Sequence, residues 1–326
     1  EAWRRRRIDR AVCRYAAQVL APELDIPPSS LAQRPLRDKR HRRVYIVPAR
    51  SGKAVVRFCL GRRAKYAEAF ALAHAAFEKA GVAVGRMLWN DASPDTLHRF
   101  GFSCVAQAFL EGEFFDPGRH AAALPQLAEA LAAIHRDLSP QFGPLAHGGA
   151  SQGALPDILD PMIDRRFERL HAERFSRGRA MAAEIRERLR SMYAAGPIAT
   201  TPDGWSLLHG DLLPANVIIQ PDGRVGLIDF DRALRGPFGI ELAAVPWLFA
   251  LDETGRRHID SIASLRAAAG ERMRRFSEAY FAHLPAAFGD EWARNEDFYL
   301  AWILLMRAPD LQTAHDLLSG KAGAAA

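Results

Sequence analysis

Apolar residues form two kinds of pattern in the first third of the chain, and each kind predicts a different element. A spacing of three to four residues, typical of one face of a helix, predicts a helix over residues 8–20. Runs of β-branched and aromatic residues predict two strands, over residues 43–47 and 53–60. An alanine-rich segment with helical spacing follows and predicts a second helix over residues 65–79.

The remainder of the chain begins with strand patterns and then becomes mainly helical. Two further strands are predicted over residues 86–89 and 102–110. The helical patterns that follow cover residues 120–138, 156–176, 178–193, 240–250, 258–284 and 291–318. The order of two strands, a helix and two strands predicts a small sheet-rich region, which precedes a larger helical one.

Three polar residues in the C-terminal half lie close to two short apolar runs. Asp211 lies five residues before Asn216 and eighteen before Asp229. The apolar runs over residues 217–219 and 225–228 predict a hairpin, which can bring these side chains to one edge. A carboxylate can then accept or orient an attacking hydroxyl, while an amide oxygen and a second carboxylate hold Mg²⁺. Each residue alone is more often a turn former or a helix cap, but their combination indicates a phosphoryl-transfer site.

The letters around these residues resemble those of a known family. His-Gly-Asp at residues 209–211, Asn216, and Ile-Asp-Phe-Asp at residues 228–231 are similar to the aminoglycoside phosphotransferase and choline kinase group. Those proteins are small-molecule kinases of protein-kinase-like fold. The resemblance spans roughly residues 30–310 and is specific at residues 207–231. Weaker resemblances surround His135 and Glu241, and we interpret both residues as structural.

The resemblance implies an α+β, protein-kinase-like two-lobe fold. A small β-rich lobe with a leading helix is expected to bind the nucleotide, over residues 1–111. A larger, mainly helical lobe is expected to carry catalysis and acceptor binding, over residues 112–326. The segment over residues 109–112 resembles the hinge between such lobes.

The resemblance also implies a reaction and its participants. The γ-phosphoryl group of ATP, or of GTP in its place, would be transferred to a hydroxyl of a small molecule of the aminoglycoside, sugar or amino alcohol class. Asp211 is expected to be the catalytic base, and Asn216 and Asp229 are expected to be ligands of Mg²⁺.

In the resembled family a Lys on the third strand pairs with a Glu on the following helix to grip the nucleotide. Here Arg57 stands at the Lys position and Glu68 at the Glu position. Val55 is expected on the same strand face as Arg57, where it can pack against adenine. Ala108, which precedes the hinge-like segment, and Leu110, which lies within it, are also expected to bind the nucleotide.

The Arg at position 57 leaves three interpretations open, because a guanidinium is longer and planar and favours bidentate contacts. Arg57 takes over the role of the Lys, Lys53 reaches the phosphates instead, or the chain binds nucleotide weakly. A second departure is the segment over residues 36–43, which stands at the phosphate-covering loop but contains no Gly. Its many cations would neutralise either nucleotide phosphates or an anionic acceptor.

Composition narrows the class of protein. A hydrophobic content of 49% and a charged content of 25% are those of a globular protein. The sequence contains no run of 18 apolar residues, so no membrane span is expected. Three scattered cysteines indicate a reducing compartment, and we expect a cytoplasmic location. Residues 1–65 contain 18 Lys or Arg against 5 Asp or Glu. No basic-aromatic repeat accompanies this charge, so no nucleic-acid partner is expected.

Two other classes of function remain open at this point. One is a kinase-like nucleotide-binding module with weak or no catalysis. The other is a kinase for a protein or a lipid-linked sugar, for which the basic N-terminal region would be the docking face.

Overall fold

The computed structural model describes residues 2–39, 41–61, 66–145, 179–194, 204–249 and 262–307, with the single positions 161, 164, 165 and 168. The chain divides into two compact units. The first comprises Glu1–Lys79 with Ala83–Gly112, and the second comprises Ala80–Val82 with Glu113–Ala326. The assignment of nucleotide binding to one lobe and of catalysis to the other stays a prediction. The predicted helix over residues 156–176 lies almost wholly outside the described residues.

The first unit contains a five-stranded antiparallel sheet. Its strands are β1 (Arg37–Lys39), β2 (Arg42–Ala49), β3 (Gly52–Leu60), β4 (Met87–Asp91) and β5 (Phe102–Ala108). Their order is β1-β2-β3-β5-β4. The four strands predicted from sequence are confirmed, whereas β1 was missed because its three consecutive charged residues show no apolar alternation.

Five α-helices of the first unit are described. They are α1 (Ala2–Tyr15), α2 (Ala21–Leu24), α3 (Pro28–Leu31), α4 (Tyr66–Lys79) and α5 (Pro94–Phe100), and a π-helical segment (Ala16–Leu20) joins the first two. The predictions of a leading helix and of α4 are confirmed. Helix α5 was not predicted, although Ser93 caps it by accepting from the backbone N–H of Thr96 and Pro94 begins it.

Alternate strand residues point to opposite sides of the sheet, and the leading helix packs against one of these two faces. The core on this face includes Val12, Tyr15, Ala16, Leu20, Val47, Ala54, Val56, Phe58, Phe102 and Cys104. The Tyr15 hydroxyl also donates to Asp91 Oδ2 at 2.7 Å and accepts from Trp89 Nε1 at 2.9 Å. The N-terminal helix is therefore part of the core of the first unit.

The second unit combines short strands with longer helices. Its strands are β6 (Glu113–Phe114), β7 (Leu138–Ser139), β8 (Gly143–Pro144), β9 (Trp205–Leu208), β10 (Val217–Ile219), β11 (Val225–Leu227) and β12 (Leu234–Gly236). They form a three-stranded sheet, β11-β10-β6, and a four-stranded sheet, β7-β9-β12-β8. The predicted hairpin is β10–β11 and is confirmed.

The described helices of the second unit follow the helical patterns of the sequence. They are α6 (Leu124–Arg136), α7 (Arg179–Ala194), α8 (Gly239–Leu242), α9 (Val245–Phe249), α10 (Ile262–Ala282) and α11 (Ala286–Arg307). Helix α6 buries one apolar face, which includes Leu127, Leu131 and Ile134. Within the ranges that the structure covers, no helix has the length and apolar character that a membrane crossing requires.

Candidate active site

The β10–β11 hairpin places Asn216 opposite the residue that precedes Asp229. The Ile228 N–H donates to the Asn216 carbonyl at 3.0 Å. Asn216 is buried, and its side-chain Nδ2 donates to the Asp211 carbonyl at 2.8 Å. Because the amide nitrogen makes this bond, Oδ1 is the end that can serve as a metal ligand.

Asp229 has an uncommon backbone conformation. Its φ is 62°, in the left-handed region that non-glycine residues rarely adopt. Strand β11 has already ended at Leu227, and the Ala233 N–H donates to the Phe230 carbonyl at 3.0 Å to close a turn. Asp231 therefore lies in this turn and not on a strand shared with Asp229.

His209 connects the segment of Asp211 to the segment of Asp229. Its Nδ1 lies 3.3 Å from the Asp211 backbone nitrogen, and its Nε2 lies 2.9 Å from the Ile228 carbonyl oxygen. A carbonyl can only accept, so Nε2 carries the proton and Nδ1 accepts from the N–H of Asp211. Both ring nitrogens are thus used in holding the backbone, and His209 acts as a brace.

A buried carboxylate holds the same loop from behind. Glu241 is 4% exposed. It accepts from the backbone N–H of His209 at 2.9 Å and of Gly210 at 2.7 Å, one on each oxygen. His135 Nε2 lies 3.1 Å from Glu241 Oε2, and His135 Nδ1 lies 2.5 Å from the Tyr280 hydroxyl. Helices α6, α8 and α10 thereby meet at the loop.

The Glu241 carboxyl stays ionised despite its burial. Burial by itself raises its pKa, but the hydrogen bond from His135, the electrostatic effect of the neighbouring His135 and His209 side chains, and the backbone N–H of His209 together more than offset this effect. The pKa of Glu241 consequently lies below its usual value. The structural role that the sequence suggested for Glu241 and His135 agrees with these contacts.

Gly210 is required by both conformation and space. Its φ is 75°, and a Cβ at this position would lie 2.1 Å from the carbonyl oxygen of Arg232. Only a glycine tolerates both a positive φ and so close a contact, because it has no Cβ. The absence of a side chain here brings the turn that carries Arg232 against the loop that carries Asp211.

Asp211 is held through its backbone while its carboxylate faces outward. Its N–H is bonded by His209 and its carbonyl by Asn216. The side chain is 27% exposed, and its Oδ1 lies 3.6 Å from Nη1 of Arg232, whose side chain is 72% exposed. The structure thus brings Asp211, Asn216 and the segment of Asp229 into one bonded cluster.

In the first unit, Arg57 lies on the sheet face opposite to the leading helix. It is 7% exposed, and its guanidinium carbon lies 4.7 Å from the centre of the Phe70 ring on α4. Glu68, on the same helix, is exposed. No ion pair joins Glu68 to Arg57 among the described residues, because Phe70 takes the helix position that faces the guanidinium. A nucleotide-binding role for either residue stays a prediction.

The other residues expected at the nucleotide all lie at one end of the sheet. Val55, Ala108 and Leu110 are half-buried. Lys53 is exposed, and its Nζ lies 3.2 Å from Glu111 Oε1 and 5.3 Å from the centre of the Phe109 ring. The Lys53 amine is therefore directed toward the hinge-like segment.

In the basic segment over residues 36–43, strands β1 and β2 pair with each other, and position 40 lies outside the described residues. Strands β1 and β2 pair with Arg37 opposite Val44. Arg43 is 2% exposed and forms ion pairs with Asp9 and Asp38. At least this cation is neutralised within the first unit, so the segment carries less unbalanced charge than its sequence suggested.

Comparison with known proteins adds a family and a fold. A family model described as "Phosphotransferase enzyme family" matches residues 32–276. No curated protein matches the sequence.

Several solved structures have the same fold. The amicoumacin kinase hAmiN is 11% identical with a TM-score of 0.65, over 94% of this chain and 93% of that chain. A thermostable mutant of aminoglycoside phosphotransferase APH(4)-Ia is 17% identical with a TM-score of 0.56, over 90% and 94%. A putative fructosamine-3-kinase from Haemophilus somnus is 14% identical with a TM-score of 0.52, over 88% and 90%. The predicted protein-kinase-like fold is thereby confirmed.

We predict that Gly210→Ala disables the loop, because the new Cβ would collide with the Arg232 carbonyl. A shift of about 1 Å in Asp211 lowers turnover by about 10²-fold. Gly223→Ala is the matched control, because Gly223 also has a positive φ, of 84°, but open space around its Cβ. That change should cost only backbone strain, about 1–2 kcal/mol. Turnover and thermal unfolding should be measured for both variants. Equal losses in Gly210→Ala and Gly223→Ala would contradict the close contact between Gly210 and the Arg232 carbonyl.

We predict that Glu241→Gln lowers the free energy of unfolding by about 1–3 kcal/mol, because an amide NH₂ would face a backbone N–H that needs an acceptor. Turnover should fall more than nucleotide affinity, because the substitution displaces the loop that carries Asp211. Denaturant unfolding and steady-state kinetics measure the two effects.

The pH dependence supplies the control for Glu241. Its folded pKa is lowered from the usual 4.5, so its stabilisation is present above pH 4.5 and is lost as pH falls through the lower folded pKa. The stabilities of wild type and Glu241→Gln should therefore converge in acid. A constant difference down to low pH would show that the carboxylate charge is not what stabilises the loop.

Proposed function

The chain belongs to the phosphotransferase enzyme family, and we propose that it transfers the γ-phosphoryl group of ATP to a hydroxyl of a small molecule. The observation that carries this proposal is the fixed backbone of Asp211, bonded on one side by His209 and on the other by Asn216. A carboxylate held in this way is oriented before an acceptor arrives.

Asp211 is proposed as the catalytic base. Its side chain is 27% exposed, and the carboxylate can accept the proton of an acceptor hydroxyl at hydrogen-bond distance. The hydroxyl oxygen would then attack the γ-phosphorus in line with the departing ADP. His209 supports this role only through the backbone, because both of its nitrogens are engaged.

Asn216 and Asp229 fit a Mg²⁺ ion by their chemistry. An amide oxygen and a carboxylate are hard oxygen donors, and Mg²⁺ commonly takes only one or two protein ligands beside phosphate oxygens and water. The chemistry that Mg²⁺ supplies when bound is neutralisation of charge on the phosphate oxygens. Asn216 is already oriented for this role by its bond to the Asp211 carbonyl.

The first unit is proposed to bind the nucleotide. Val55, Ala108 and Leu110 offer half-buried apolar surface for the base. Arg57 is proposed to hold the phosphates, because it lies on the predicted strand face and α4 lies beside it. Lys53 is the alternative candidate, and its exposed amine lies 3.2 Å from Glu111 Oε1. ATP is the proposed donor, with GTP as the alternative.

The acceptor is proposed at the level of a class, namely an aminoglycoside, a sugar or an amino alcohol. Proteins of the same fold have been crystallised with ADP and hygromycin B, or with AMP-PNP and an amicoumacin-type ligand. These complexes support a nucleotide and a small hydroxyl-bearing acceptor here. We place the reaction in the cytoplasm, where ATP and Mg²⁺ are available.

We predict that Asp211→Asn removes phosphotransfer and leaves Mg·ATP binding unchanged. A general base contributes about 10²–10⁴ in rate, and the amide keeps the shape of the side chain. ADP release with a panel of aminoglycosides, sugars and amino alcohols measures the rate, and calorimetry measures binding. Turnover that survives within a few-fold would remove Asp211 from the reaction.

We predict that Arg57→Ala weakens Mg·ATP binding strongly, that Arg57→Lys restores part of it, and that Glu68→Ala has a smaller effect. The conservative change keeps the charge but loses the planar guanidinium. Lys53→Ala is the comparison variant. If Lys53→Ala gave the large loss and Arg57→Ala stayed within about two-fold, inside the ~0.5 kcal/mol of a neutral surface change, Lys53 would hold the phosphates.

A further inference from the structure

We propose that Arg232 is a further catalytic residue, which contacts the phosphoryl group during transfer and stabilises its charge in the transition state. This inference rests on the proposed function. It concerns Arg232, in the turn that follows Asp229, a residue to which the sequence pattern assigned no role.

The backbone of Arg232 is fixed against the catalytic loop. The turn that carries it is closed by the bond from the Ala233 N–H to the Phe230 carbonyl, at 3.0 Å. The Arg232 carbonyl oxygen packs against the α-carbon of Gly210, where a Cβ would approach it to 2.1 Å. Gly210 immediately precedes Asp211. The starting point of the Arg232 side chain is therefore set relative to the catalytic carboxylate.

The Arg232 guanidinium lies beside the Asp211 carboxylate but is not hydrogen-bonded to it. Its Nη1 is 3.6 Å from Asp211 Oδ1, a distance longer than a hydrogen bond. The Arg232 side chain is 72% exposed, so this ion pair is solvated and weak. A more highly charged group that arrives next to Asp211 can displace the water around the Arg232 guanidinium and accept hydrogen bonds from its N–H groups.

Reaction geometry brings such a group to this place. The acceptor hydroxyl lies within hydrogen-bond reach of Asp211, roughly 3 Å, and the γ-phosphorus lies about 3–3.5 Å beyond the hydroxyl oxygen. A cation beside the carboxylate is then within side-chain reach of the phosphoryl oxygens. The segment from Asp211 to Asn216 itself contains no Lys or Arg, so Arg232 supplies a charge that this loop lacks.

A bond forms between the hydroxyl oxygen and the γ-phosphorus, and the bond from that phosphorus to the β–γ bridging oxygen breaks, with its electron pair left on ADP. The hydroxyl proton goes to Asp211. Negative charge remains on the three equatorial oxygens throughout, and Arg232 neutralises part of it.

A transition-state mimic tests the role without knowledge of the acceptor. Calorimetry compares the affinity for Mg·ADP with and without aluminium fluoride, which imitates the phosphoryl group in transfer, in the wild type, Arg232→Ala and Arg232→Lys. Arg224→Ala is the matched control, because Arg224 is a similarly exposed Arg that pairs with Asp222 in the β10–β11 turn. Slow ATP hydrolysis, with water as acceptor, is a second readout.

We expect aluminium fluoride to tighten Mg·ADP binding in the wild type and in Arg224→Ala. In Arg232→Ala most of that gain should be lost, and hydrolysis should fall by about 10²-fold, as for one lost transition-state contact. Mg·ADP affinity alone should stay within about two-fold. Arg232→Lys should keep part of the gain, because charge remains while the planar fork is lost.

The contrary outcomes are distinct. If Arg232→Ala keeps the whole aluminium fluoride gain, or the wild type binds Mg·ADP without any gain, Arg232 does not act on the phosphoryl group. If the wild type binds no Mg·ADP at all, the proposed function itself fails.

Discussion

Two hydrogen bonds, which the N–H groups of His209 and Gly210 donate to the buried Glu241 carboxylate, determine where the active-site loop lies. Bonds to an ionised acceptor are stronger than neutral ones, at about 1.5–3 kcal/mol each. A carboxylate buried without such donors would be strongly destabilising. The bond to His135 and the packing of three helices around it make this charge tolerable inside the second unit.

The remaining geometry of the site follows from the position of that loop. With His209 and Gly210 fixed, the imidazole of His209 reaches the Ile228 carbonyl and the Arg232 turn packs against Gly210. Asn216 closes the arrangement by its bond to the Asp211 carbonyl. The backbone N–H and carbonyl of Asp211 are thus both bonded, while its side chain is 27% exposed. Such preorganisation lets a site stabilise developing charge without rearranging during the reaction.

The sequence predicted the parts of the molecule whose cause is local. The β10–β11 hairpin and four strands of the first sheet were predicted, because apolar runs and turn residues occupy adjacent positions in the sequence. Strand β1 could not be found in this way, because Arg37–Lys39 is entirely charged. The pairing expected for Glu68 depends on the rotation of α4, and that rotation directs Phe70 toward Arg57. The contacts of Glu241 with His135 and with His209 join residues far apart in the chain, which no local pattern shows.

Hydrogen exchange of single amides tests the anchoring of the loop most directly. We expect the N–H groups of His209 and Gly210 to exchange as slowly as amides inside the β9–β12 pairing, although both residues lie outside any helix or strand. We also expect this protection to fade in acid as Glu241 becomes protonated. Exchange as fast as that of the exposed turn at residues 221–224 would show that the carboxylate does not hold the loop, and would contradict the account.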